Sequence, residues 1–162
     1  MWTETYAQIM DRAIIERLKE RMFAKDNRLV LSDVAGKQAK CLEIAADTYL
    51  FDVQNGKLSH IPHKHLRFHD HGNDKPLPTS VDDCLAELRL VHEKYWETQT
   101  EIQHLKEIMK KSTTIDESFE LAAEAVEFYE LQLVIDRCNQ RRNEVRSECD
   151  FLLNEELLKE DL

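Results

Sequence analysis

The chain has 162 residues, 32 acidic and 22 basic side chains, a net charge of −10 at neutral pH and 42% hydrophobic residues. That length suits one domain with a single sizeable core, and a charged share of 33% points to long solvated helical faces rather than to disorder. No apolar run reaches the roughly 20 residues of a membrane span, and Met1-Trp2-Thr3-Glu4 opens no basic or apolar leader, so a cytoplasmic protein with no membrane partner is expected.

Residues 80–162 carry 21 acids against 10 bases, whereas residues 1–79 carry 11 against 12. So acidic a C-terminal half would repel phosphate backbones, which argues against nucleic acid and for a basic protein as partner. RNA contact through Lys37, Lys40, Lys57, Lys64 and Arg67 ranks last among the functional classes for the same reason. Cys41, Cys84, Cys138 and Cys149 form no CxxC pair, so neither a zinc ribbon nor a thioredoxin-like motif is encoded.

In chain order, Tyr6, Ile9, Met10, Ala13, Ile14, Leu18, Met22 and Phe23 recur at spacings of three and four. They predict an amphipathic helix over about residues 4–24, capped by Thr3, within an N-terminal segment 1–27. Asp11, Arg12, Glu16, Arg17, Lys19 and Glu20 fall on what reads as its solvated face.

Over residues 28–69 short apolar runs alternate with turn signals: Arg28 to Ser32, a break at Ala35-Gly36-Lys37, Ala39 to Ile44, and Tyr49 to Val53. Asn55-Gly56 between Tyr49–Val53 and Lys57–Ile61 suits the positive φ angles of a tight hairpin. These features predict a small antiparallel β module, a meander or a barrel like those of the SH3 and Tudor folds. The rival is a helix through Gln38 to Ala46, because Ala39, Leu42, Ala45 and Ala46 also share a helical face.

Residues 70–79 read as a linker, and Thr79 or Ser80 caps a strong helix start with Asp82 and Asp83 in its first turn. Val81, Leu88, Tyr95, Ile102 and Met109 with Cys84, Val91, Thr98 and Leu105 make a regular heptad. After Lys110–Thr114 a second helix runs to about residue 158, with Phe119, Ala122, Val126, Tyr129 and Leu133 on one stripe. Leu121, Ala125, Phe128, Ile135, Cys138, Val145, Cys149 and Leu152 make another. Residues 80–162 are thus expected to form a long antiparallel helical hairpin. Two apolar faces call for a further packing partner, which is the N-terminal helix, the small β module or a second chain, and a homodimer is the favoured expectation. The fold class expected is α+β, mainly helical.

The stretch Ile135-Asp136-Arg137-Cys138-Asn139-Gln140-Arg141-Arg142-Asn143-Glu144 resembles an uncharacterised bacterial helical family with a motif of the form I-D-x-x-N-Q-x-R-N-D near the end of a helical hairpin. The resemblance covers about residues 84–153 and implies a helical fold. On the preceding helix that family carries Leu-Trp-His-x-Glu-Asp, where this chain reads Tyr95-Trp96-Glu97-Thr98-Gln99-Thr100.

His60, His63, His65, His69 and His71 lie within twelve residues, beside Asp70 and Asp74, and imidazoles and carboxylates at such spacing can complete a zinc site. The competing reading is a polar linker rich in His. Zinc is the cofactor that cluster would take; no other is expected. Tyr49, Phe51 and Phe68 could line an aromatic cage at a barrel mouth, although such residues are more often core. Glu120, Glu124 and Glu127 recur at helical spacing as a solvated face suited to a basic partner. Asp136, Asn139, Gln140 and Arg142 sit beside apolar stripes and are expected to form an interior hydrogen-bond network. With no phosphate loop and no nucleophile motif, the functional reading is a non-catalytic interaction or adaptor protein, with a metal-binding protein or metal-dependent enzyme as the alternative.

Overall fold

A computed structural model describes residues 4–58, 75–111 and 115–160. Its elements are α1 (Tyr6–Lys25), α2 (Leu29–Gln54), α3 (Val81–Lys111) and α4 (Ile115–Glu160). α1 packs along α2, α3 packs along α4, and α1 also lies against both α3 and α4. The architecture is therefore two helical hairpins joined through α1.

The first four N–H groups of α1, which have no partner within the helix, are all taken up. Thr5 Oγ accepts from Gln8 N at 3.3 Å while Gln8 Oε1 accepts from Thr5 N at 2.8 Å, a reciprocal capping box. Ala7 N donates to Asp150 Oδ1 of α4 at 3.0 Å, Ile9 N donates to Thr5 O, and Tyr6 is joined by its backbone to the Tyr49 side chain. Thr5 is the cap of this helix, two residues beyond the one expected.

No β module exists over the described part of residues 28–69: Leu29–Gln54 is one continuous helix, and no strand occurs among the described residues. The rival helical reading was correct but too short. Ser32, Ala35, Ala39, Leu42, Ala46, Tyr49 and Val53 recur at spacings of three and four and are buried or half-buried against α1. Alanines on this stripe let the two helices approach closely. Gly36 is part of the same seam and breaks nothing, since a Cβ there would come within 2.9 Å of Glu20 Cδ, and Ser32 Oγ donates to Glu20 O at 2.8 Å.

Asn55-Gly56 ends α2 where a hairpin turn was expected. Gly56 has φ +72°, Gly56 N donates to Val53 O at 3.1 Å, and Lys57 N donates to Asp52 O at 2.9 Å. These are the two bonds of a Schellman cap, which needs the same left-handed glycine that a tight hairpin needs. α1 ends in the same way, with Asn27 at φ 58°, Asn27 N to Ala24 O and Arg28 N to Phe23 O.

α2 bears a second stripe on its opposite side. Val30, Val34, Lys37, Cys41, Ile44, Thr48 and Phe51, again at spacings of three and four, are all exposed, with Val30 at 78% and Phe51 at 58%. With Val30, Val34, Ile44 and Phe51 on the outer side, apolar residues occur on both sides of the helix and not on one face alone. That pattern mimics the alternation of strands in the linear sequence.

Ser80 caps α3 by accepting from Asp83 N at 3.1 Å. Val81, Cys84, Leu85 and Leu88 form one core with Val145, Cys149 and Leu153 of α4 and with Ile9, Ile14, Ala46 and Tyr49 from the first hairpin, while Thr98, Ile102, Leu105 and Ile135 are buried farther along α3 and α4. Each large apolar side chain fully withdrawn here, such as Leu88, contributes about 2 kcal/mol. The second partner that the two-striped α4 called for is α1, along the C-terminal half of α4. The stripe Val126, Tyr129 and Leu133 faces solvent.

Candidate functional site

Asp11 stands on α1 between Ala7 and Ile14, on the buried stripe and not on the solvated face, and its side chain is fully withdrawn from solvent. His92 of α3 approaches from one side, with Nε2 2.6 Å from Oδ1. Arg142 of α4 approaches from the other and donates to Oδ2 from Nε at 2.8 Å and Nη2 at 2.6 Å, while Arg146 Nη1 donates to the same oxygen at 3.4 Å. Burial alone would raise the Asp11 pKa, but the hydrogen bonds and charges of His92 and Arg142 outweigh it and hold the carboxyl below its ordinary value. An ionised carboxylate only accepts, so the His92 proton on this side sits on Nε2. Arg142 and Arg146 with Asp11 carry a local charge of +1.

A second arginine fastens the chain entering α3. Arg141 donates from Nε to Glu87 Oε1 at 2.6 Å, from Nη1 to Lys75 O at 3.2 Å and from Nη2 to Pro76 O at 2.8 Å. Glu144 lies 3.5 Å away. At the start of α1, Asp150 meets the positive end of the helix dipole. The rings of Tyr6 and Tyr49 lie 6.4 Å apart beside it, and burial raises both hydroxyls to about 12.

Next to the Asp11 cluster is a cavity of about 260 Å³ lined by Ile15, Leu18, Lys19, Val91, His92, Tyr95, Trp96, Cys138, Asn139 and Arg142. Its walls are mainly apolar, and it carries the basic side chains Lys19, His92 and Arg142 and no carboxylate. No family model, curated protein or solved structure matches this chain. What the cavity can do is therefore read from its own chemistry.

His92 held by Asp11 has the form of a base with its orienting carboxylate, and Cys138 borders the same space. Burial pushes the Cys138 thiol up, which is the opposite of the activation that a nucleophilic cysteine needs. The arrangement suits binding better than covalent catalysis.

Of the residues expected to form a polar network, Arg142 joins the Asp11 cluster, Asn139 borders the cavity and Gln140 donates to Glu144 at 3.4 Å, whereas Asp136 is exposed. Tyr49 is buried and Phe51 is exposed beneath Lys57 Nζ at 5.9 Å, so two residues apart on one helix they face different ways and share no cage. Glu127 is exposed and Glu124 half-buried; the side chain of Glu120 and all of Phe68 lie outside the described residues. So do His60, His63, His65, His69 and His71, and among the described residues no three His, Cys, Asp or Glu side chains come together as metal donors.

Asp11, His92, Arg141 and Arg146 went unread in the sequence. Their signal is present: Asp11 follows Ala7 by four and precedes Ile14 by three, and His92 holds the same place between Leu88 and Tyr95. A charged or polar residue four after one apolar residue and three before the next can be drawn into the buried face, where it must find a partner.

Proposed function

We propose that the protein works without catalysis, by helix-to-helix association, and that the outer face of α2 is its contact surface with a second copy of the chain as partner. The observation that carries this reading is the unbroken exposed stripe from Val30 to Phe51, backed by a rigid inner stripe on the same helix. An apolar seam at spacings of three and four is what a coiled-coil contact requires.

Residue chemistry along the stripe favours two antiparallel copies. Parallel pairing would set Lys37 against the partner's Lys37, a like-charge contact inside the seam. Antiparallel pairing centred near Cys41 sets Lys37 beside the partner's Ile44 and within a turn of the partner's Asp47, and places Val30 by the partner's Phe51. A two-fold contact of this kind is self-complementary and closes at two copies. The acidic faces of α3 and α4 are then left free to attract a basic protein, which would speed encounter more than set affinity.

Sedimentation equilibrium on the whole chain tests this. The expected mass is twice the 19.1 kDa chain at micromolar concentration, reverting to one chain in Val34→Glu/Ile44→Glu, with helical circular dichroism retained. In a Cys41→Ser background, Val30→Cys/Phe51→Cys should form a linked dimer with a short bis-maleimide, and Val30→Cys alone should not. A single-chain mass at about 100 μM, or a dimer indifferent to the Glu pair, overturns the reading.

A further inference from the structure

We propose that the cavity between α1, α3 and α4 is a binding site for a small hydrophobic carboxylate, with the apolar part of the ligand against Trp96, Tyr95 and Val91 and its carboxylate toward Arg142 and Asn139. The site does not involve the outer face of α2, and the proposal does not depend on self-association.

Size comes first. A volume of about 260 Å³ equals roughly nine waters, room for a ligand of about ten heavy atoms and just below the usual range for drug-sized pockets. Ile15, Leu18, Val91, Tyr95 and Trp96 supply the apolar walls, which bind by removing ligand surface from water.

Charge then selects the ligand. In a protein of net charge −10, this cavity is bordered by Lys19, His92 and Arg142 and by no carboxylate. Lys19 is balanced by Glu16 at 2.8 Å, whereas Arg142, which lines the cavity, shares its one carboxylate, Asp11, with Arg146, which lies outside the lining. An excess positive charge at the edge of an apolar space is relieved by an anion.

Free donors fix the orientation. Arg142 spends Nε and Nη2 on Asp11, and His92 spends Nε2. Among the described residues, Arg142 Nη1, His92 Nδ1 and the Asn139 amide have no protein partner. A planar carboxylate can take two donors here, from Arg142 Nη1 and the Asn139 amide.

Titration calorimetry of the full chain with 3-phenylpropionate, its amide and phenethylamine tests the proposal. One saturable site per chain is expected for the acid, with a Kd of about 1 mM or tighter, and binding at least tenfold weaker for the amide and the amine. Val91→Phe, which fills the cavity, should cost at least tenfold in affinity. In a Trp2→Phe background the acid should also shift Trp96 emission, a readout that stands if Val91→Phe fails to fold. No saturation by about 10 mM, equal binding of acid and amide, or unmoved Trp96 emission overturns it.

Discussion

Asp11 and Arg142 are 131 residues apart in the chain, yet two N–H groups of one guanidinium converge on a single oxygen of one carboxylate, at 2.8 and 2.6 Å. This contact and the His92 contact on the other oxygen tie the first hairpin to the second, alongside the Ala7–Asp150 hydrogen bond and the apolar core the hairpins share. Removing Asp11 would leave two guanidiniums facing a buried space without their counter-charge. Asp11→Ala is therefore expected to cost about 3 kcal/mol, read as a lowered urea midpoint, whereas Arg146→Ala, at the longer 3.4 Å contact, should cost under about 1 kcal/mol.

The depressed pKa of Asp11 makes that lock sensitive to acid. Its contribution is whole above the ordinary value of 3.8 and is lost as pH falls through the lower folded-state value. Urea midpoints measured from about pH 5 down to pH 2 should fall more steeply for the native chain than for Asp11→Asn. Parallel curves would remove Asp11 from the account of acid unfolding.

At alkaline pH the sign reverses. Tyr6 and Tyr49 keep their protons to about 12 when folded, against 10.0 when exposed, so the unfolded chain loses protons first and stability falls as pH rises between those values. Tyr49→Phe should flatten this decline in a denaturation series from pH 9 to about 12.

The two Schellman caps can be tested by opposite substitutions. Gly56→Ala forces a Cβ into a backbone at φ +72° and should destabilise by about 1 kcal/mol, while Asn27→Gly relaxes φ 58° and should be neutral or stabilising by a few tenths. A hairpin turn at Asn55-Gly56 would also lose stability in Gly56→Ala, so far-ultraviolet circular dichroism is the companion measurement: the helical signal should persist.

The second hairpin was legible in the sequence because each of its helices shows its buried stripe against polar neighbours, as from Leu88 through Ile102 to Leu105. α1 was legible for the same reason. α2 was not, because Val30, Val34, Ile44 and Phe51 on the outer face fill the gaps between Ala35, Ala39, Ala46 and Tyr49 on the inner one, erasing the contrast that reveals a helix. Asn55-Gly56 compounded the error, since one local conformation serves both a hairpin and a helix end. At the site, polarity beside apolar stripes pointed to Arg142 and Asn139, of which Arg142 is hydrogen-bonded to Asp11 and Asn139 is exposed at the cavity's edge. Asp11 and His92 were missed because single polar residues on a stripe look like its edge, and only the third helix shows that they meet.

α4 has 46 residues and so runs about 69 Å, but the contacts that α1 makes with it fall between Cys138 and Leu153. The stretch toward Ile115 projects about 40 Å beyond Arg142 and the Asp11 lock, with α3 alongside. Mechanically this is an arm with its pivot at the buried carboxylate. A tilt of about 5° there displaces the tip by about 3 Å, so a change in packing too small to alter the core would be read at the far end as a shift of most of a side chain's width.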